Sequence, residues 1–324
     1  MKVLFIGGTG IISSACTDLA LKQGIDLHLL TRGQSTRLIP TGAKVITGDI
    51  NDAESLLQNH SWDAVVNWII YTPDQIERDL ALFRDRTSQY IFISSASAYQ
   101  TPPSHLPVRE STPLDNPFWE YSRNKIACEE RLTRAYREEK FPITIVRPSH
   151  TYDKTLLPFD GGYTIFHRML EGQPVCVPGD GTSLWTLTHN TDFAKGFNGL
   201  LGHSAAIGEN FHITSDEWLT WNQIYDLVAH AASRLTGREV KANKVYVPSS
   251  KIAELDPARA PGLLGDKMHS MIFDNSKIKS LVPGFKCTTP FSRGAMEIVA
   301  HYLVHPGQVD SSKNEQENQL CSNC

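Results

Sequence analysis

The 324-residue sequence is poor in the features that mark several large protein classes. It holds only six cysteines, too few for a disulfide scaffold. Positive charge is not in excess either: 31 Lys and Arg against 35 Asp and Glu leave a net charge of −4. A global basic footprint for nucleic acid is thereby excluded. No run approaches the ~18 apolar residues of a membrane span. The first apolar stretch, at positions 3–6, is too short for a signal peptide. A cytoplasmic protein is expected. No metal is expected. Cys321 and Cys324 form a C-x-x-C, half of a typical zinc ligand set, which reads as accidental spacing. Apolar residues, by contrast, make up 40% of the chain, enough to bury a full core.

The first half alternates β-rich runs with amphipathic stretches. Strands are expected at Lys2–Ile6, Asp26–Thr31, Lys44–Thr47, 64–70, Tyr90–Ile93 and 143–147, with helices at 14–23 and 121–140. Alternation of this kind predicts an α/β fold, a Rossmann-type doubly wound parallel sheet. The strands are nearly all apolar, as a sheet covered on both faces requires. After about Tyr152 the alternation breaks down among prolines and glycines. One helix there opens with Thr220 and Gln223 at capping-box spacing and closes at Gly237; another is expected near 291–304. The expected division is a dinucleotide-binding domain at 1–152, a smaller substrate-binding lobe at 153–307 and a disordered tail at 308–324. Some elements of the second part are allowed to return to the first.

The strand at Lys2–Ile6 runs into Gly7-Gly8-Thr9-Gly10-Ile11-Ile12-Ser13 and then a helix. Glycines let the backbone turn sharply and approach a pyrophosphate, which then sits on helix N–H groups. The full context of strand, glycines, helix and second strand is present. Ser13 stands at the third glycine position and is small enough for close helix–strand packing. The second strand ends at Thr31-Arg32, without the acid that holds the ribose hydroxyls of NAD. The guanidinium of Arg32 matches a 2′-phosphate, with Arg37 and Ser35 nearby, so NADP is favoured over NAD. Asp49 and Ile50 follow the third strand where they reach the adenine; for Asp49 the alternative is a turn or helix cap.

Tyr121 and Lys125 lie four apart, on one helix face. A lysine ammonium beside a phenol stabilises the phenolate and lowers the tyrosine pKa toward general-base range. Upstream, the fifth strand ends in Ser94-Ser95-Ala96-Ser97-Ala98-Tyr99, which offers a hydroxyl to the reacting oxygen.

With these residues together, the sequence resembles the extended short-chain dehydrogenase/reductase superfamily, in its NAD-dependent epimerase/dehydratase branch. The resemblance runs to about residue 305. It includes the glycine turn, Asp49-Ile50, Ser94 to Tyr99, Glu110 with Thr112-Pro113, Tyr121/Lys125 and Arg147-Pro148. It implies hydride transfer to or from a nicotinamide, with Tyr121 as acid/base, Lys125 on the nicotinamide ribose and Ser95 polarising the substrate oxygen. It further implies that Ser94, Pro148 and Ser149 face the nicotinamide end, and that the protein is a homodimer.

Departures from the family pattern narrow the reaction. Ala96 and Ser97 stand where the sugar dehydratases of this family carry acids, which argues against water elimination. Ser97 also replaces a cysteine found in the fucose-synthase type. Trp185 and Leu263 replace two arginines that pair with a pyrophosphate in nucleotide-sugar enzymes; Lys267, Arg259 and His189 are the possible substitutes. Trp68, Tyr71 and Trp185 are candidate pocket walls, with core packing the alternative. Ser97 and His150 complete the substrate candidates, His150 as a second acid/base or as a structural histidine. The leading expectation is an NADP-linked oxidoreductase acting on a hydroxyl or ketone of a sugar-like small molecule. Its rivals are a sugar epimerase with tightly bound NAD and a non-catalytic dinucleotide-sensing or RNA-associated protein.

Overall fold

A computed structural model describes residues 1–322. In chain order it comprises β1 (Lys2–Ile6), α1 (Ile11–Lys22), β2 (Asp26–Thr31), β3 (Lys44–Thr47), α2 (Ala53–Leu57), β4 (Ala64–Asn67), α3 (Pro73–Phe83), β5 (Tyr90–Ile93), α4 (Glu120–Glu139) and β6 (Ile143–Pro148). The second half adds β7 (His150–Tyr152), α5 (Tyr163–Leu170), β8 (Pro174–Pro178), β9 (Leu184–Trp185), β10 (Leu187–His189), α6 (Asn190–Asn198), β11 (Asn210–Ile213), β12 (Leu219–Thr220) and α7 (Trp221–Thr236). It ends with β13 (Asn243–Val247), α8 (Ser249–Leu255), α9 (Ala260–Gly262), α10 (Ser276–Leu281), α11 (Phe291–Val304) and α12 (Ser311–Ser322).

Seven strands form one parallel sheet in the order β11-β6-β5-β4-β1-β2-β3. The chain winds outward from β1 through β2 and β3, then crosses to β4 and winds the other way. The order therefore reverses between β1 and β4, and the crevice at the carboxyl ends of these two strands is where such sheets take ligands. Both faces are covered. Phe5, Leu27 and Leu29 pack with α1 and with Phe193 and Phe197 of α6, while Leu4, Ile6 and Val65 pack with α3 and α4 on the other face. That double burial is why the strands read as continuous apolar runs. Helix α6 and strand β11 are the elements of the second half that return to the first. The remaining lobe has its own core, built from α5, α7 and α11 around Tyr152, Trp185 and Val177.

The observed boundaries have local causes. Helix α1 starts at Ile11 because the Gly10 N–H donates to Ser13 Oγ at 2.8 Å, so Ser13 fixes the turn as well as packing behind it. Strand β4 stops at Asn67, three residues short of expectation. The Asn67 Oδ1 accepts from the Ile69 N–H at 3.0 Å and turns the chain away from the sheet. Helix α4 ends at Lys140, whose left-handed φ of 57° makes the C-terminal turn without a glycine.

The tail expected to be disordered is instead the helix α12. Asp310 Oδ1 accepts from the Ser312 and Lys313 N–H groups at its start. The Cys176 N–H donates to Glu317, and Arg168 donates to the side chains of Asn314 at 2.6 Å and Asn318 at 2.8 Å. Only Leu320 adds a large buried apolar group. A helix docked mainly by polar contacts leaves no hydrophobic period in the sequence, so composition misjudges it. The pairing of Cys321 with Cys324 lies outside the described residues. Cys16, Cys128 and Cys176 are buried thiols, as their apolar settings suggest. Among the described residues no helix is long and apolar enough to cross a membrane, and no cluster of three or more ligating side chains has metal-site geometry.

Candidate active site

The glycine turn is shaped by backbone needs. Gly7 and Gly8 take φ of 96° and 100°, a region that side chains disfavour. A Cβ at Gly8 would lie 2.9 Å from a Leu29 methyl and 3.3 Å from Thr17 Oγ1. Thr17 Oγ1 also donates to the Gly8 carbonyl at 2.9 Å, locking the turn onto α1. The first-turn N–H groups of α1 have no intrahelical acceptors and open onto the crevice between β1 and β4. The cradle fits a dinucleotide: Gly7 to Ile12 would take its pyrophosphate, and the carboxyl ends of β2 and β3 the adenosine half.

At that adenosine end Arg32 is exposed and makes no ion pair or hydrogen bond among the described residues. Arg37 is different, bound to Asp153 and to Thr155 Oγ1. Asp49 accepts from the Asn51 N–H at 2.9 Å, so its carboxylate caps the following turn. Ile50 packs on the core beneath α2.

On the other side of the crevice, β5 delivers Ser94 and Ser95. Ser94 is buried and its hydroxyl lacks a partner among the described residues, an orphan at the ligand-facing end of the strand. Ser95 Oγ lies 2.9 Å from Ser97 Oγ and accepts from the Ser97 N–H at 3.2 Å. Ser122 Oγ in turn donates to Ser97 Oγ at 2.8 Å, tying the serine cluster to α4. Tyr121, one residue earlier on that helix, hydrogen-bonds the Ser95 hydroxyl. Burial pushes the Tyr121 phenol up to about 12, and the Ser95 bond opposes this.

Lys125 does not lower the Tyr121 pKa as the sequence spacing suggests. Its ammonium donates to the carbonyls of Ile93, at 2.8 Å, and Ile70, and sits 5.6 Å from the centre of the Tyr121 ring. Burial pulls Lys125 down to about 8. Two of its three N–H groups are committed to the backbone, which leaves one for a ligand.

A cavity of about 220 Å³ opens in front of this set. Of the sequence candidates, Ser95, Ser97, Tyr121, Pro148, Ser149, His150 and Trp185 all line it. Burial, aided by the Lys267 charge, pulls His150 down to about 4 and keeps it neutral. Its ring packs tilted against Trp185, centroids 4.8 Å apart, and Trp185 packs tilted against Trp221 at 4.7 Å. Tyr71 is half exposed and lines a larger adjoining cavity of about 780 Å³, which shares Trp119 and Tyr121 with the first. Trp68 lines neither of these cavities. The turn after Asn67 directs it beneath the glycine turn, where it packs against Phe5 at 5.5 Å and Phe197 at 4.8 Å.

Several site residues escape sequence reasoning. Asn116 is buried and its Nδ2 donates to the carbonyls of Ser97, at 2.8 Å, and Gly265, at 2.7 Å. It thereby fastens the second lobe to the catalytic strand end. Trp119, Asp266, Lys267 and Met271 complete the smaller cavity. Asp266 and Lys267 lie in a short π-helical turn at Leu263–Lys267 and Trp119 is the N-cap of α4, none with a periodic signal; only the Gly265-Asp266 pair stands out as a sequence feature. Lys267 and Arg259 both pair with Asp160, at 3.3 and 2.9 Å, and His189 pairs with Glu297 at 3.1 Å.

A sequence model of the NAD dependent epimerase/dehydratase family matches residues 3–214. The chain belongs to this family. It is 25% identical over 322 residues to the 2'-dehydrokanamycin reductase of Streptomyces kanamyceticus, covering 97% of this chain and 87% of that one. It is 27% identical over 247 residues to the chloroplast stem-loop binding protein of 41 kDa b of Arabidopsis thaliana, covering 71% and 63% of the two chains. Among solved structures, the UDP-glucuronic acid 4-epimerase of Bacillus cereus, in complex with UDP-glucuronic acid and NAD, superposes with a TM-score of 0.72. That match has 20% identity and covers 93% of this chain and 99% of that one. The family is one of nicotinamide-dependent enzymes, and the glycine cradle described above fits such a cofactor.

Proposed function

We propose that this epimerase/dehydratase-family chain is an NADP(H)-dependent oxidoreductase, acting on a secondary hydroxyl or ketone of a small sugar-like molecule not carried on a nucleotide diphosphate. One observation carries the reading. Ser95 and Tyr121 face a cavity whose lining lysine, Lys267, is already paired with Asp160, and Arg259 of the adjoining cavity pairs with the same acid. The near full-length similarity to a protein named as a reductase supports the same reading.

The bound dinucleotide supplies or accepts the hydride. In the reducing direction Tyr121, kept as a neutral phenol by burial, gives its proton to the substrate oxygen. Ser95 offers a second hydroxyl to the same oxygen, oriented by Ser97 and Ser122. Lys125 holds the strand end and the segment after Asn67 in place through the two carbonyls, and its remaining N–H serves the nicotinamide ribose. Ser94, Pro148 and Ser149 frame the nicotinamide end. Arg32 receives the 2′-phosphate, being an exposed guanidinium at the end of β2 with no partner among the described residues.

The test is a titration of the dinucleotide-free protein with NADPH and NADH. NADPH is expected to bind at least tenfold more tightly, with the preference lost in Arg32→Ala and NADH binding unchanged. Stoichiometric NAD that survives purification would point to an epimerase with retained cofactor. Full function of Tyr121→Phe would point to a non-catalytic role, the class suggested by the stem-loop binding relative.

A further inference from the structure

We propose that the substrate carries a protonated amine and that the carboxylate of Asp266 receives it. The inference rests on the preceding reading of the site as one for a small alcohol or ketone. Asp266 lines the same 220 Å³ cavity as Ser95 and Tyr121, on the wall supplied by the second lobe. Its carboxylate makes no hydrogen bond and no ion pair with any described residue, although its neighbour Lys267 is a cation. Lys267 turns instead to Asp160, which it shares with Arg259, and lies 5.5 Å from the centre of the Trp185 ring.

A partly buried, unpaired carboxylate facing the cavity is stabilised by a cation placed beside it. Burial is the main reason the Asp266 carboxyl is pushed up to about 6, and Asp160 adds to it. The Asp266 charge is also felt by Tyr121, whose phenol it helps to keep protonated. A substrate amine seated on Asp266 would therefore lie within electrostatic reach of the reacting group.

The surroundings favour a cation over an anion. The larger adjoining cavity adds Glu120, Asp256 and Glu317 against Lys313. Together the two cavities present five acids to three lysines or arginines, the reverse of what a pyrophosphate needs. Neutral His150 supplies a second contact, since its Nε2 has no partner among the described residues. Trp119 adds an aromatic wall suited to an ammonium or a sugar face.

The experiment compares two rings of the same all-equatorial shape, streptamine, with two amines, and scyllo-inositol, with hydroxyls in their place. Each is titrated calorimetrically into the NADPH-saturated protein at pH 7.5. Streptamine is expected to bind at least tenfold more tightly. Asp266→Asn, a change of nearly equal size, should erase the difference, and Asp266→Glu should keep most of it, with NADPH affinity retained in both. Equal binding of the two rings, binding of neither by a protein that binds NADPH, or a preference that survives in Asp266→Asn would each overturn the proposal. A protein that binds neither NADPH nor NADH would overturn the underlying reading as well, and is distinguished by that first titration.

Discussion

The two ends of the crevice are made in different ways. At the cofactor end a single contiguous segment, Gly7 to Ser13, does the shaping, chiefly through backbone geometry. At the substrate end the wall is assembled from five separate stretches, around Ser95, Trp119, His150, Trp185 and Asp266, joined by side chains such as Asn116. A contiguous backbone device is insensitive to the rest of the chain and recurs across chemistries. A wall gathered from distant loops can change one residue at a time, and specificity resides there.

The largest expected effect separates chemistry from binding. Tyr121→Phe removes the phenolic proton but keeps the ring that packs on Trp119 at 4.9 Å. Turnover should fall by roughly 10²- to 10⁴-fold, the usual size for loss of a general acid. Dinucleotide affinity should stay within about threefold, a bound that follows if Gly7 to Ile12 carry that binding. If affinity falls in parallel with turnover, the two ends are not independent and the contrast drawn above fails.

The next effect concerns folding rather than catalysis. His212 of β11 is buried between the Tyr99 hydroxyl, 3.0 Å from Nδ1, and the Asp274 carbonyl, 2.8 Å from Nε2. Burial is the main cause that pulls it down to about 4, while the unfolded chain titrates near 6.5. Between those values the unfolded state binds more protons, so the stability that neutral His212 permits is present above pH 6.5 and lost as pH falls toward 4. The contribution is about 3 kcal/mol. His212→Gln should flatten the fall in denaturant midpoint over that range by a comparable amount. An unchanged pH profile in the variant would show that other groups govern the acid limb. His150, also pulled down to about 4, is the first of these to test.

What the sequence reveals follows the same division. The sheet, the glycine turn and the Ser95–Tyr121–Lys125 set are legible because each is local. An apolar run, a glycine string and an i, i+4 pair can be read within a few residues. Asn116 and Asp266 act through partners 149 residues away or through a shared cavity, and no local pattern announces them. Trp68 shows the limit from the other side. Its type suits a sugar pocket, yet the hydrogen bond from the Ile69 N–H to Asn67 turns it into the core. Helix α12 escapes for a related reason, since its anchors Glu317, Asn314 and Asn318 are polar. The direction of the Tyr121 shift is missed because spacing shows that Lys125 is near but not that its N–H groups are spent on backbone carbonyls.

The smallest effect sharpens the account of the cofactor end. Gly8→Ala places a Cβ where φ is 100° and where Leu29 Cδ2 would be 2.9 Å away. The Leu29 methyl is the end of a flexible side chain and can move; the backbone conformation cannot relax without moving the turn. The stability cost should therefore be modest, about 1–2 kcal/mol. The loss of dinucleotide affinity should be the larger signal in relative terms, because a shifted turn misdirects the N–H groups at the start of α1. Binding of NADPH and NADH should fall together, unlike Arg32→Ala, which is expected to act on NADPH alone. A Gly8→Ala protein that binds both dinucleotides normally would show that the positive φ is a packing requirement of β1 and α1. The pyrophosphate would then have to be held by groups other than the turn.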